Sequence, residues 1–188
     1  MIKILYDVVP LGMMKYAINT SEFSDRICIA VCADCSVITA GINYLMKALD
    51  CVDAAICFLV GNDEIFIDEL GNSVSILKRT GLVETGLLRY ELPKAITCTT
   101  KEQLQFITDI FDQYQSAELY FFSGTDVANA VAFIETMNLS DVLLRSKLLQ
   151  CSKLLIEKNG DDEVEITMPQ AFTSVVIDAF IDAYVAHQ

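Results

Sequence analysis

Apolar residues follow two spacings along this chain, and each spacing predicts a different element. Short, continuous apolar runs at 27–32 and 54–60 predict buried strands. Between them, positions 37–49 carry apolar residues at helical spacing, and a second such stripe over 172–184 predicts an apolar C-terminal helix. Pro10 opens a further stretch, 10–18, for which the spacing predicts a short helix.

Two segments carry the signature of a β-hairpin. Residues 64–69 and 73–77 flank Leu70-Gly71-Asn72, and residues 153–158 and 163–168 flank Asn159-Gly160-Asp161-Asp162. Asn-Gly favours a type I′ turn, because both residues tolerate positive φ. In the second hairpin, apolar residues at 164, 166 and 168 alternate with polar residues at 163, 165 and 167. One face of that strand is therefore expected to be buried and the other exposed to solvent.

Strands alternate with helices over most of the length, which indicates an α/β fold. We expect a mixed, mostly parallel sheet flanked by helices, with β-hairpin edges and an apolar C-terminal helix. The length of 188 residues fits a single globular domain over 1–188.

The composition restricts the classes of partner. Hydrophobic residues make up 53% of the chain, and the formal net charge is −13. Such acidity disfavours nucleic acid and anionic membranes as partners, since both need Lys and Arg. The apolar surplus indicates either a complete core or a surface covered in a homo-oligomer.

Location follows from the cysteines and from the apolar runs. Seven cysteines, mostly inside apolar runs, are typical of free thiols in a reducing cytosol, so a cytoplasmic location is expected. The nearly uncharged run 27–46 is long enough to span a bilayer. Asp34 within it favours a strand followed by a helix instead.

The charges are segregated along the sequence. Three stretches without Lys or Arg, at 48–77, 102–144 and 159–188, carry 19 of the 26 acidic residues. This pattern predicts a negative face that binds a basic protein, with Asp161, Asp162, Glu163 and Glu165 as the densest acidic segment. The function hypothesis is an inhibitor or immunity-type protein that neutralises a basic partner such as a nuclease toxin. The alternative for the same residues is an inert solubilising sheet edge.

Cys32-Ala33-Asp34-Cys35 is a C-x-x-C between a predicted strand and a predicted helix. That position suits a thioredoxin-like redox pair, since a helix N-terminus lowers the pKa of a thiol. The adjacent carboxylate disfavours a thiolate, and packing is the alternative role for both cysteines.

The segment from Phe121 to Asp126 is the most enzyme-like in the chain. Ser123-Gly124-Thr125-Asp126 follows a predicted strand and opens a predicted helix, where ligands bind in open α/β sheets. Residues 2–6 predict a first buried strand, and Asp7 follows it in a similar position. This arrangement resembles the skeleton of PIN-type metal nucleases, in which one strand ends in Asp and a later strand ends near Ser or Thr and Asp.

The resemblance covers these two short segments and implies a metal-dependent hydrolase using Asp7, Ser123 and Asp126. The alternative is helix capping by Ser123 or Thr125. The single histidine, His187, lies one residue from the end of the sequence, which disfavours His-dependent catalysis. We expect no cofactor, and the sequence does not provide a complete set of metal ligands.

Overall fold

Most strands that the structure describes belong to one large antiparallel sheet. The computed structural model describes residues 6–8, 12–17, 23, 25–60, 75–77, 82–85, 88–91, 95–109, 116–136, 141–160 and 162–188. Nine strands join in the order β1-β2-β3-β11-β10-β9-β4-β8-β5, and β6 and β7 pair separately. The strands are β1 (Tyr6–Val8), β2 (Gly12–Ala17), β3 (Arg26–Cys32), β4 (Ala54–Val60), β5 (Ser75–Leu77), β6 (Leu82–Thr85), β7 (Leu88–Glu91), β8 (Ala95–Cys98), β9 (Ser116–Phe122), β10 (Leu154–Asn159) and β11 (Glu163–Pro169).

Helices cover both faces of the sheet. They are α1 (Cys35–Ala48), α2 (Lys101–Asp109), α3 (Gly124–Thr136), α4 (Asp141–Cys151) and α5 (Thr173–Ala186), with a 3-10 turn at Gln170–Phe172 before α5. Buried side chains of α1, α2 and α5 share one core with alternate residues of β3, β4, β9, β10 and β11. Side chains of α3 and α4 form a second core on the opposite face, over β4, β9 and β10.

The expectation of a mostly parallel sheet is wrong, because every strand pair in the described sheet is antiparallel. Strand–helix alternation gives a parallel pair only when one helix returns the chain beside the strand that it left. Two helices, α3 and α4, separate β9 from β10, so the chain re-enters the sheet in the opposite direction. One helix, α1, separates β3 from β4, but β11, β10 and β9 lie between those strands.

The second predicted hairpin is confirmed, but the expectation that it forms an edge of the sheet is wrong, because β3 pairs with β11 and β9 pairs with β10. β10 and β11 pair from Lys158 with Val164 to Leu155 with Thr167, and the turn contains Gly160 at a φ of 105°. No described residue other than glycine has positive φ, so Asn159 stays in the strand and Asn159-Gly160 is not the centre of a type I′ turn. Of the other predicted hairpin, Ser75–Leu77 is described and forms β5, which pairs with β8, while the rest, around Leu70-Gly71-Asn72, lies outside the described residues.

The apolar C-terminal helix is confirmed, and it packs closely on α1. Val176, Ala179, Phe180 and Ala183 of α5 are buried. A Cβ atom added to Gly41 of α1 would lie 2.4 Å from Cδ1 of Phe180, so glycine is what permits this approach.

Two further expectations concern helices. The short helix predicted for 10–18 is wrong, since Gly12–Ala17 is a strand paired with both β1 and β3. Among the described residues, no helix is both long enough and apolar enough to cross a membrane.

Candidate functional site

Three glutamates lie side by side across neighbouring strands of the sheet. Glu118 of β9 is directly opposite Glu157 of β10, and Glu157 is directly opposite Glu165 of β11. Side chains alternate between the faces of a strand, and the neighbours of Glu165, Val164 and Ile166, enter the core that α1 and α5 cover. The three carboxylates therefore share the opposite face. We call Glu118, Glu157 and Glu165 the acidic row.

One arginine of α4 binds two members of the acidic row. Arg145 donates from Nε to Oε2 of Glu118 at 3.0 Å, and its Nη2 forms an ion pair with Oε1 of the same carboxylate. The same Nη2 donates to Oε1 of Glu157 at 3.0 Å. The Tyr120 hydroxyl also donates to Oε2 of Glu118, at 3.0 Å. Glu118 is thus held by a forked, charge-assisted contact on one side and by a phenol on the other.

Partial burial makes this row electrostatically costly. The side chains of Glu118 and Glu157 are 25% and 21% exposed. Burial raises the pKa of Glu157, and the nearby charges of Glu118 and Glu165 raise it further, although Arg145 acts in the opposite direction. Like charges directly opposite each other destabilise a pair of strands. In the described part of the chain, Glu165 has no ion pair, so the row has one cation for three carboxylates.

Two further acids extend this surface toward the hairpin turn. Glu163 lies two residues from Glu165 on the same face of β11, and Asp162 precedes it; both are exposed. The Asp162 carbonyl accepts a hydrogen bond from the Ala33 amide at 3.1 Å, which fixes the turn against the end of β3. We call the acidic row together with Asp162 and Glu163 the acidic face. Asp161 lies outside the described residues.

The C-x-x-C has the expected position but an unfavourable environment for redox chemistry. β3 ends at Cys32, and α1 begins at Cys35. None of the seven cysteines forms a disulfide. Partial burial raises the pKa of Cys32, as do the negative charges of Glu163 and Asp162. A reactive redox thiol needs the opposite shift, and these contacts support a non-redox role for the pair.

The Ser123 segment forms a compact polar cluster at the start of α3. Ser123 Oγ donates to Asp126 Oδ2 at 2.5 Å, and Nζ of Lys153 lies 3.5 Å from the same oxygen. Asp53, which precedes β4, is also here, because a Cβ atom added to Gly124 would lie 3.2 Å from its Oδ2. Antiparallel pairing of β4 with β9 places Asp53 at this end of the sheet.

This cluster can cap a helix but lacks an activated base. The Ser123 carbonyl accepts the amides of Asp126 and Val127, at 2.9 and 3.2 Å. The hydrogen bond from Ser123 and the charge of Lys153 lower the pKa of Asp126. A lowered pKa makes this carboxylate a weaker base, whereas a general base needs a pKa near the working pH. Ser123 therefore occupies the position before α3 that the capping alternative requires, whereas Thr125 lies inside the helix.

The structure does not bring Asp7 to this cluster. Asp7 lies in β1, five strands from β9 in the sheet order, a separation of about 24 Å at a strand spacing of about 4.8 Å. Among the described residues, no group of three or more His, Cys, Asp or Glu side chains is arranged to hold a metal ion. His187 follows the last helix, where its Nδ1 lies 2.8 Å from the Ala183 carbonyl.

The sequence indicated part of the acidic face, including Glu165, but not the other members of the acidic row or the arginine that binds them. Glu163 and Glu165 were expected on the wet face of β11, whereas Glu118, Glu157 and Arg145 were not assigned a role. Glu118 and Glu157 each lie within a largely apolar strand, which was the available signal. Their adjacency depends on strand register, and a single sequence does not fix that register.

Comparison with known proteins adds no assignment, since no family model, no curated protein and no solved structure matches this chain.

Proposed function

We propose that this protein binds a basic protein partner through the acidic face, as a cytoplasmic inhibitor of the immunity type. The observation that carries the proposal is the acidic row, in which three partly buried carboxylates lie on adjacent strands and one arginine binds two of them. A solubilising surface needs charge but does not need like charges directly opposite each other and partly desolvated.

The row also indicates what the partner supplies. Arg145 occupies the Glu118 side of Glu157, and the Glu165 side has no cation among the described residues. A lysine or arginine of the partner placed between Glu157 and Glu165 would complete the row. The benefit is greatest where water is excluded, because charge pairs strengthen at lower dielectric constant.

The outer part of the acidic face has a different role. Asp162 and Glu163 are exposed, so their charges act through solvent and guide the approach of a basic surface. Exposed charges mainly change the association rate, whereas close-packed charge pairs change the dissociation rate.

Zero-length carbodiimide cross-linking in extracts of the source cell tests this function. The reagent joins carboxylates to amines in direct contact, and peptide mapping identifies both ends of each link. We expect links from Glu157, Glu163 or Glu165 to lysines of one basic protein. Asp178 and Asp182, exposed on α5 and therefore on the other side of the sheet, serve as internal controls. Links that favour the α5 acids, or a partner without a basic surface, would contradict the proposal.

A further inference from the structure

A cleft between α1 and α2 lies apart from the acidic face. Its volume is about 260 Å³, and it is lined by the last turn of α1, the turn before β4 and one side of α2. The lining includes Leu49, Val52 and Leu104, each less than 9% exposed, which form an apolar interior. The size suits a small ligand, somewhat below the range for drug-sized molecules.

Hydrogen bonds hold the two helices together beside this cleft. Asn43 Oδ1 accepts hydrogen bonds from Thr108 Oγ1 at 2.7 Å and from Gln105 Nε2 at 2.9 Å. Asn43 Nδ2 donates to Asp109 Oδ1 at 3.2 Å. This bridge is one helical turn from Lys47, which lines the cleft. These hydrogen bonds fix the two helices that frame the cleft relative to each other.

The charges at the cleft favour an anion. Lys47 of α1 and Lys101 of α2 both line it, and Asp50 is the acid among the lining residues. Lys47 lies 5.9 Å above the Tyr44 ring, and Lys101 interacts with the adjacent, exposed Glu102. Neither ammonium forms an ion pair with a carboxylate in the described part of the chain.

The position of Lys101 has no stabilising explanation in the helix itself. Lys101 is the first residue of α2, where the helix dipole is positive and a cation is unfavourable. By contrast, Lys47 in the last turn of α1 is favoured by the dipole. A cation at a disfavoured helix position, on the wall of a partly apolar cleft, fits a ligand with negative charge.

We propose that this cleft binds a small organic anion that carries one carboxylate on an apolar chain. The apolar chain contacts Leu49, Val52 and Leu104, and the carboxylate lies between the ammonium groups of Lys47 and Lys101. This inference does not depend on the proposed protein partner, because the two surfaces share no residue.

Octanoate is a suitable probe, with octylammonium as its charge-reversed counterpart. In a ¹H–¹⁵N NMR titration of the full chain, octanoate should shift the amide signals of Val52, Leu104 and Thr108. The expected Kd is about 0.1–1 mM for a ligand of this size. Octylammonium should bind at least about fivefold more weakly, since its charge is repelled by both lysines.

Lys101→Glu separates binding from folding. The substitution should raise the melting temperature or leave it unchanged, because an acid is favoured at a helix N-terminus. The substitution should nevertheless weaken the binding of octanoate at least about fivefold. Lys147→Glu on α4 makes the same change in net charge and should leave the Kd unchanged.

Three results would overturn the proposal: no amide shifts at these residues, equal affinity for octylammonium, or an unchanged Kd in Lys101→Glu.

Discussion

Replacing Arg145 with methionine should destabilise the protein in a way that depends on pH. Methionine keeps a long side chain on α4 but removes the cation that binds Glu118 and Glu157. Arg145 makes two contacts with Glu118 and one with Glu157, and its own side chain is 51% exposed. Burial opposes its charge, yet the Glu118 carboxylate raises the pKa of Arg145 above its ordinary value.

The expected loss in the free energy of unfolding lies between two limits. Hydrogen bonds to charged groups contribute about 1.5–3 kcal/mol, and exposed ion pairs contribute about 0.2–1 kcal/mol. The half-exposed, forked contact of Arg145 with Glu118 should therefore contribute about 1–2 kcal/mol after discounting for solvent screening. For a chain of this size, that loss lowers the melting temperature by about 3–6 °C.

The sign of the pH dependence follows from the carboxylates. Without Arg145, nothing counteracts the shifts that raise the pKa of Glu157. The folded state then binds more protons than the unfolded state above the ordinary glutamate pKa of about 4.3, so stability falls as pH rises through that window. The difference in melting temperature between wild type and Arg145→Met should be larger near about pH 7 than near about pH 4.5.

Circular dichroism melts at the two pH values measure this effect. Lys147→Met is the matched control, since Lys147 is exposed on the same helix and binds only the Gln150 side chain among the described residues. An equal loss at both pH values, or an equal loss in the control, would refute the electrostatic account of the acidic row.

Three further outcomes are expected from local contacts. Gly41→Ala should lower the free energy of unfolding by about 1–2 kcal/mol, because overpacking against Phe180 exceeds the gain in helix propensity. Calorimetry measures this loss, and adding Phe180→Leu should recover part of it. Ser123→Ala should raise the pKa of Asp126 toward its ordinary value and reduce the stability that wild type loses as pH falls below that value; NMR titration of Asp126 is the readout, and an unchanged pKa would contradict the contact. Alkylation of Cys32 at about pH 8 should be faster in Glu163→Gln than in wild type, and equal rates would remove this carboxylate from the explanation of the raised pKa.

Local sequence patterns predicted the elements more reliably than their arrangement. The β10–β11 hairpin was predictable because apolar and polar residues alternate around a glycine turn. The last helix was predictable because its apolar stripe lies on one side. The pairing of β9 with β10 was not, because two helices intervene and the sequence does not specify which strands become neighbours.

The segment 10–18 shows the limit of periodicity in short runs. Its apolar residues fit helical spacing, yet Gly12–Ala17 pairs with strands on both sides. β3 pairs with all of Gly12–Ala17 and β1 pairs with its middle residues, and this tertiary contribution outweighs a weak local preference. The acidic row was hidden for a related reason, since Glu118 lies far in sequence from Glu157 and Glu165 and becomes their neighbour only through the pairing of β9 with β10.

Association kinetics with the cross-linked partner test the central claim most directly. Glu163→Lys/Glu165→Lys and Asp178→Lys/Asp182→Lys make the same change in net charge on opposite sides of the sheet. Rates are measured from about 0.1 M to about 1 M salt, over which the Debye length falls from about 10 Å to about 3 Å. We predict that the association rate of wild type falls steeply with salt, and that the acidic-face variant loses most of its rate at low salt while the α5 variant loses little. Equal losses in both variants, or a wild-type rate that does not change with salt, would contradict recognition through the acidic face.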